Sequence, residues 1–157
     1  MAEDVLYNCF RSSRLTGAYG LFHIYENEIN GSPQEVCLEL DGGKFFTFRT
    51  GPVGSTVRIL TGLPKEKDLG EYGEEKLLDL SKNSVFSQCL GKRIIYFSEI
   101  RSLRDEIDVG VFFGLEIGCC FSIVSLGDEI DFYGKIPHAL LSSELLALKE
   151  ESRSFQL

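Results

Sequence analysis

Apolar and polar residues alternate through much of this chain, and one alternating block is written twice. VCLELDGGKFFTFRT runs from Val36 to Thr50, and VFFGLEIGCCFSIVS, 75 positions on, runs from Val111 to Ser125 and aligns with it without a gap. Upstream of each copy, IYENEI (Ile24 to Ile29) and IYFSEI (Ile95 to Ile100) agree at four of six positions at an offset of 71. Downstream, TVRIL (Thr56 to Leu60) corresponds to EIDFY (Glu129 to Tyr133) at an offset of 73. All half-buried strands share a period of two, so alternation alone could produce one such match by chance. The common order of three blocks points instead to two copies of one supersecondary unit, spanning about residues 20–62 and 92–135.

Each unit reads as four strands. Val36, Leu38 and Leu40 alternate with Cys37, Glu39 and Asp41, and Gly42-Gly43 supplies the permissive backbone of a hairpin turn. A loop of Gly42, Gly43 and Lys44 sets Leu40 opposite Phe46 and Leu38 opposite Phe48, with every polar partner on the other face. The same register in the second unit sets Leu115 opposite Phe121 and Phe113 opposite Ile123 on one face, with Phe112 opposite Val124 and Glu116 opposite Cys120 on the other. A hairpin apolar on both faces needs a cover on both.

Covers are expected from the termini. SSELLALKEESRSF offers Ser142 or Ser143 as an N-cap and Leu141, Leu145 and Leu148 as one apolar stripe, which predicts a helix over about 142–152. A second helix is expected within residues 2–13, with Val5, Leu6, Cys9 and Phe10 inward, and a short one over Ser84 to Leu90, stopped by Gly91. PKEKDLGEYGEEK, charged and glycine-containing, reads as a solvated linker. The class is α+β, mainly antiparallel sheet built from two repeated four-stranded units, with short helices at the termini and between the units.

Composition narrows the picture. A chain of 157 residues with 43% apolar side chains can bury roughly two thirds of its unfolded surface, so residues 1–157 are expected to form one domain. No run of about eighteen apolar residues occurs, and MAEDVLYNCF is acidic where a signal peptide would be basic, so a cytoplasmic protein without a membrane span is expected. Cys9, Cys37, Cys89, Cys119 and Cys120 are an odd set without CxxC spacing, which predicts reduced thiols that pack as small apolar groups. His23 and His138 stand at no ligand spacing from a cysteine pair, so neither a metal nor another cofactor is expected.

The search for catalytic chemistry yields little. TGPVGST (Thr50 to Thr56) lacks the lysine and spacing of a phosphate loop and reads as a hairpin turn. On a continuous strand His23 would point away from Glu26 and Glu28, and His138 follows Pro137 with no neighbouring acid or nucleophile. Cys119 and Cys120, adjacent on a strand, point to opposite sides and cannot clamp a metal together. No enzyme is indicated.

Acid remains. The net charge of −8 and isoelectric point near 4.8 repel phosphate backbones and attract basic proteins. Carboxylates cluster at Asp68, Glu71, Glu74, Glu75 and Asp79, at Asp105, Glu106 and Asp108, and at Asp128, Glu129 and Asp131. Most such runs are solvated surface. As a binding surface, Asp68, Glu71, Glu74, Glu75, Asp128, Glu129 and Asp131 would meet Arg and Lys of a basic partner in charge-assisted hydrogen bonds.

Over roughly residues 80–134, CLGKRIIYF, VGVFFGLEIG and GDEIDFYG give this chain a resemblance to small acidic bacterial proteins encoded beside polymorphic toxins, many of them immunity proteins. The resemblance implies a cytoplasmic immunity protein or antitoxin that neutralises a cognate, basic toxin domain; it transfers no catalytic or binding residue. The alternative is a small self-associating scaffold module, a homodimer formed through a strand edge or the doubly apolar hairpin.

Overall fold

The computed structural model describes residues 8–52, 56–143 and 146–148. It is mostly antiparallel sheet with a few short helices. After a helical turn at residues 8–10 come β1 (Leu15–Tyr25), β2 (Glu28–Ile29), β3 (Glu35–Leu40), β4 (Lys44–Thr50), β5 (Val57–Thr61), β6 (Lys67–Asp68) and β7 (Glu74–Asp79). A short helix α1 (Ser84–Ser87) leads to β8 (Ile94–Ser102), β9 (Ile107–Leu115), β10 (Cys120–Leu126) and β11 (Glu129–Tyr133), then α2 (His138–Ser143) and β12 (Leu146–Leu148).

The strands form two sheets. The first runs β5-β4-β3-β1-β7-β6, with β2 attached to β1, and the second runs β11-β10-β9-β8-β12. Their facing sides share one core. Val36, Leu38, Leu40, Phe46 and Phe48 of the first sheet and Phe97, Val111, Phe113, Phe121 and Ile123 of the second belong to a single buried cluster, and the Phe48 and Phe113 rings meet edge-on at 6.0 Å. Phe10 from the first helical turn fits between the sheets, and Phe86 of α1 packs against Phe121 and Phe132. At one corner the sheets join through backbone: Arg14 pairs with Arg93, Leu15 N–H donates to Lys92 O at 3.0 Å, and Ile94 N–H donates to Ser13 O at 2.8 Å.

The hairpin registers differ from expectation by two residues. Leu38 faces Phe46 and Val36 faces Phe48, so the loop is Asp41, Gly42 and Gly43. In the second hairpin Phe113 faces Phe121 and Val111 faces Ile123, while Phe112 faces Ser122 and Val124 faces Gly110. Gly42 and Gly43 both take positive φ, at 80° and 73°, so the turn forms one residue earlier than a loop ending on Lys44 would allow. Because the displacement is even, each side chain keeps its face.

Three further expectations give way. IYENEI is not one strand: Glu26 and Asn27 have φ of 52° and 63°, and Tyr25 pairs with Glu28 across a two-residue turn of the primed type. PKEKDLGEYGEEK is no simple linker, since it holds β6, a 3-10 turn at Gly70–Tyr72 and the start of β7, which pairs with β1. The predicted 142–152 helix is replaced by α2, which ends at Ser143, and by β12 against β8. Leu145 and residues 149–152 lie outside the described residues, as do residues 2–7 of the N-terminal helix and 53–55 of the TGPVGST turn. That turn is closed by Gly51 N–H donating to Thr56 O at 2.7 Å. The helix expected near Ser84 forms over four residues, capped by the Asn83 side chain, which accepts from Val85 N–H at 2.9 Å.

The outer face of the second sheet is apolar, and the chain covers it with its own segment. Ile100, Val109 and Val124 pack with Phe112, Tyr133, Ile136 and Leu146 in a second cluster. Val109 reaches this face through a bulge: Ile100 pairs with Gly110 and Arg101 with Asp108, so Val109 is the unpaired extra residue. Among the described residues no helix is long and apolar enough to cross a membrane.

Candidate functional site

The first group of predicted carboxylates gathers at one end of the first sheet. Asp68 on β6 stands directly opposite Glu74 on β7, and Glu71 sits in the 3-10 turn between them. Glu26, from the β1–β2 turn, joins them around a shallow cavity of about 240 Å³ that Ile24, Asp68, Gly73 and Glu74 also line. The tip is held by short-range bonds. Asp68 Oδ1 accepts from Gly70 N–H at 2.8 Å, and Leu69 N–H donates to Gly73 O at 2.8 Å. Gly73 has φ 97°, and a Cβ there would run into the Ile24 carbonyl oxygen.

His23 fastens this tip to β1. Its Nε2 lies 2.7 Å from Tyr72 O and its Nδ1 3.2 Å from the Asn30 side-chain amide. A carbonyl can only accept, so Nε2 donates to Tyr72 O while Nδ1 pairs with the Asn30 amide, and both ring nitrogens are engaged. Glu75 is the cross-strand neighbour of His23 on one side and of Lys67 on the other.

The second group lies elsewhere. Asp128 occupies the β10–β11 turn, and Glu129 and Asp131 are on β11. Asp131 serves structure: its Oδ1 accepts from Phe132 N–H at 2.9 Å and its Oδ2 from Ser32 Oγ at 3.5 Å. A polar cavity of about 600 Å³ brings Glu75 and Asp128 to one groove, whose wall also holds Glu35, Arg49, Lys65 and Lys67. Arg49 and Glu35 approach to 3.7 Å. The seven carboxylates therefore form no continuous acidic face: one patch at the tip is acidic, and the groove carries both signs. Among the described residues only Glu74 of the seven has a basic nitrogen within 4.0 Å, that of Lys76 at 4.0 Å.

Sequence reasoning missed Glu26 and Glu35. The signal for Glu26 was present, because Tyr-Glu-Asn-Glu can close a two-residue hairpin and bring its turn to the neighbouring strand's end. Glu35 enters only through the crossing of the β5–β6 connection over the first sheet, a tertiary event.

An apolar cavity of about 470 Å³ lies over the second sheet, lined by Ile100, Phe112, Cys120, Ser122, Ile136 and Leu146 among others. Cys120 Sγ donates towards Gly134 O at 3.5 Å, whereas Cys119 turns the other way, to Lys92 and Gln88. Burial pushes the Cys37 thiol up to about 11 and the Cys89 thiol up to about 12. The Tyr19 hydroxyl donates to Glu39 Oε1 at 2.7 Å, and this bond with partial burial pushes it up to about 12, so it remains a phenol. Among the described residues no three His, Cys, Asp or Glu side chains are placed to hold a metal ion. No protein-family model, curated protein or solved structure matches the chain.

Proposed function

We propose that this chain is a non-catalytic binding protein of the immunity or antitoxin kind, which neutralises a cognate bacterial toxin domain by meeting its basic groups with carboxylates. The tip carboxylates Asp68, Glu71 and Glu74 carry the contact, and Glu75 and Asp128 extend it along the groove. The observation behind this reading is the cross-strand pair Asp68–Glu74, two like charges placed directly opposite, Asp68 exposed and Glu74 partly so, with Glu26 beside them. Such a pair weakens its own strand pairing by about 0.2–1 kcal/mol. An arginine or lysine from a partner relieves that repulsion and gains charge-assisted bonds, so the cost in the free protein becomes a gain in the complex. The net charge of −8 steers a basic partner towards the encounter.

The same reading takes the paths β1-β3-β4-β5 and β8-β9-β10-β11 as copies of one four-stranded unit. It is supported by the pairs Val36–Phe48 and Val111–Ile123, which hold the same place in their hairpins at the repeat offset. Self-association has less to recommend it, because Val124, 2% exposed, and its neighbours already pack against the chain's own Ile136 and Leu146.

Co-expression with the toxin-domain protein encoded beside it, followed by pull-down and growth rescue, tests the function. The double variant Asp68→Asn/Glu74→Gln is expected to bind roughly tenfold or more weakly and with less dependence on salt, while melting no lower than the unmodified protein. Absence of both complex and rescue would defeat the reading; a full-strength complex with the double variant would remove the tip from it.

A further inference from the structure

Two cysteines and a lysine meet where the end of α1 faces the β9–β10 turn. Lys92 Nζ lies 2.8 Å from Cys119 Sγ, while the sulfur–carbonyl hydrogen bonds among the described residues span 3.4–4.0 Å. Cys119 Sγ also lies 3.4 Å from the carbonyl oxygen of Gln88, the residue before Cys89, and Cys119 packs against the buried cluster that holds Cys89. The environments of the two thiols differ: Cys89 is fully buried, while Cys119 is half-buried on a turn whose preceding residues, Ile117 and Gly118, both have positive φ. Among the described residues no carboxylate stands within 4.0 Å of Lys92, so its ammonium is committed to the sulfur. An ammonium has three N–H donors and no acceptor, so the sulfur must be the accepting partner.

We propose that Cys119 is a hydroperoxide-reactive thiol, assisted by Lys92 and resolved by Cys89, which closes a reversible Cys89–Cys119 disulfide. The chemistry balances with a hydroperoxide, ROOH, as the oxidant. Cys119 releases its proton to solvent and its sulfur attacks the terminal peroxide oxygen. An S–O bond forms, the O–O bond breaks, and the departing alkoxide takes a proton from Lys92, which solvent then replaces. Lys92 thus supplies a counter-charge to the attacking sulfur and a proton to the leaving oxygen. The product is a sulfenic acid. Cys89 then attacks the Cys119 sulfur: an S–S bond forms, the S–O bond breaks, and water leaves with the Cys89 proton. Two electrons pass from the thiol pair to the peroxide, and an external dithiol restores the reduced pair. Burial keeps Cys89 a thiol until that step, which divides the roles between the two sulfurs. Cys120, turned towards Gly134 O, takes no part.

The test is oxidation of the full chain with hydrogen peroxide, read by peptide mass mapping without reduction. Cys119 and Cys120 fall on one tryptic peptide, so a Cys120→Ser background is used. The expected result is a Cys89–Cys119 cross-linked peptide, with Cys119 oxidised at least about tenfold faster than the half-buried Cys9, against whose sulfur no lysine stands among the described residues. Lys92→Met is expected to remove that advantage, and Cys89→Ala to leave a sulfenic acid at Cys119 that dimedone traps. Equal rates at Cys9 and Cys119, or a disulfide between any other pair, would overturn the proposal. The rate comparison is made on the lysine-bearing chain, so it decides the matter even if Lys92→Met does not fold.

Discussion

Phe10 is the ring on which the packing of the two sheets converges, and its removal should be expensive. It is fully buried, and its centroid lies 4.9 Å from that of Phe46 and 6.5 Å from Phe48 on one sheet, and 5.1 Å from both Phe97 and Phe113 on the other. The turn that carries it is secured by Ser13, whose N–H donates to Phe10 O and whose hydroxyl donates to Cys9 O, each at 3.0 Å. With the backbone pinned on one side and four rings on the others, the site cannot collapse easily around an alanine. Truncating a core phenylalanine costs about 3–5 kcal/mol, and a site that cannot relax belongs near the upper end. Against a total stability of about 5–15 kcal/mol this is a large fraction. With a urea slope of about 2 kcal/mol/M, Phe10→Ala should lower the unfolding midpoint by roughly 1.5–2.5 M without changing the slope. Tyr72→Ala, at a residue 69% exposed, serves as the control and should shift stability by no more than about 0.5 kcal/mol. A loss below about 1 kcal/mol for Phe10→Ala would refute the placement of this ring between the sheets.

Gly73→Ala should cost about 1–3 kcal/mol, because alanine is strained at φ 97° and its Cβ meets the Ile24 carbonyl; hydrogen exchange should show β7 amides opening first, and an unperturbed β7 would contradict this. Asp79, whose carboxylate accepts from the Ser81 hydroxyl and from Ser81 N–H at 2.8 Å, is held below the usual carboxylate range. A depressed folded value means its contribution is present above the unfolded value of about 3.9 and is lost as pH falls through the lower, folded one. Asp79→Asn should therefore be less stable than the unmodified protein at neutral pH, with the gap closing below about pH 4; a gap independent of pH would refute the assignment.

Parts of this structure were legible because side-chain alternation is a local property. Period two told which residues of β3, β4, β9 and β10 face the core, and a register displaced by two left that answer intact. The run from Ser84 to Gly91 marked a short helix, though α1 closes at Ser87, and the surplus of carboxylates needed only counting. The doubly apolar β9–β10 hairpin announced that a cover was required, though not that a short strand against β8 would form part of it.

The amino-acid sequence by itself determined the strands' inner faces, the turn at Gly42-Gly43 to within one residue and the charge, since each follows from neighbours within a few positions. Which strands pair was decided only in three dimensions. EEKLLD lacks strict alternation and becomes a strand because β1 offers it an edge, with Leu77 laid beside Leu21. That pairing carries Asp68 and Glu74 to the β1–β2 turn and Glu26, and the corner where β1 meets β8 carries Lys92 towards Cys119. The physical reason is common to all of these: a residue's face is set by backbone geometry, but its neighbours across the fold are set by which apolar surfaces exclude water together, and that choice belongs to the whole chain.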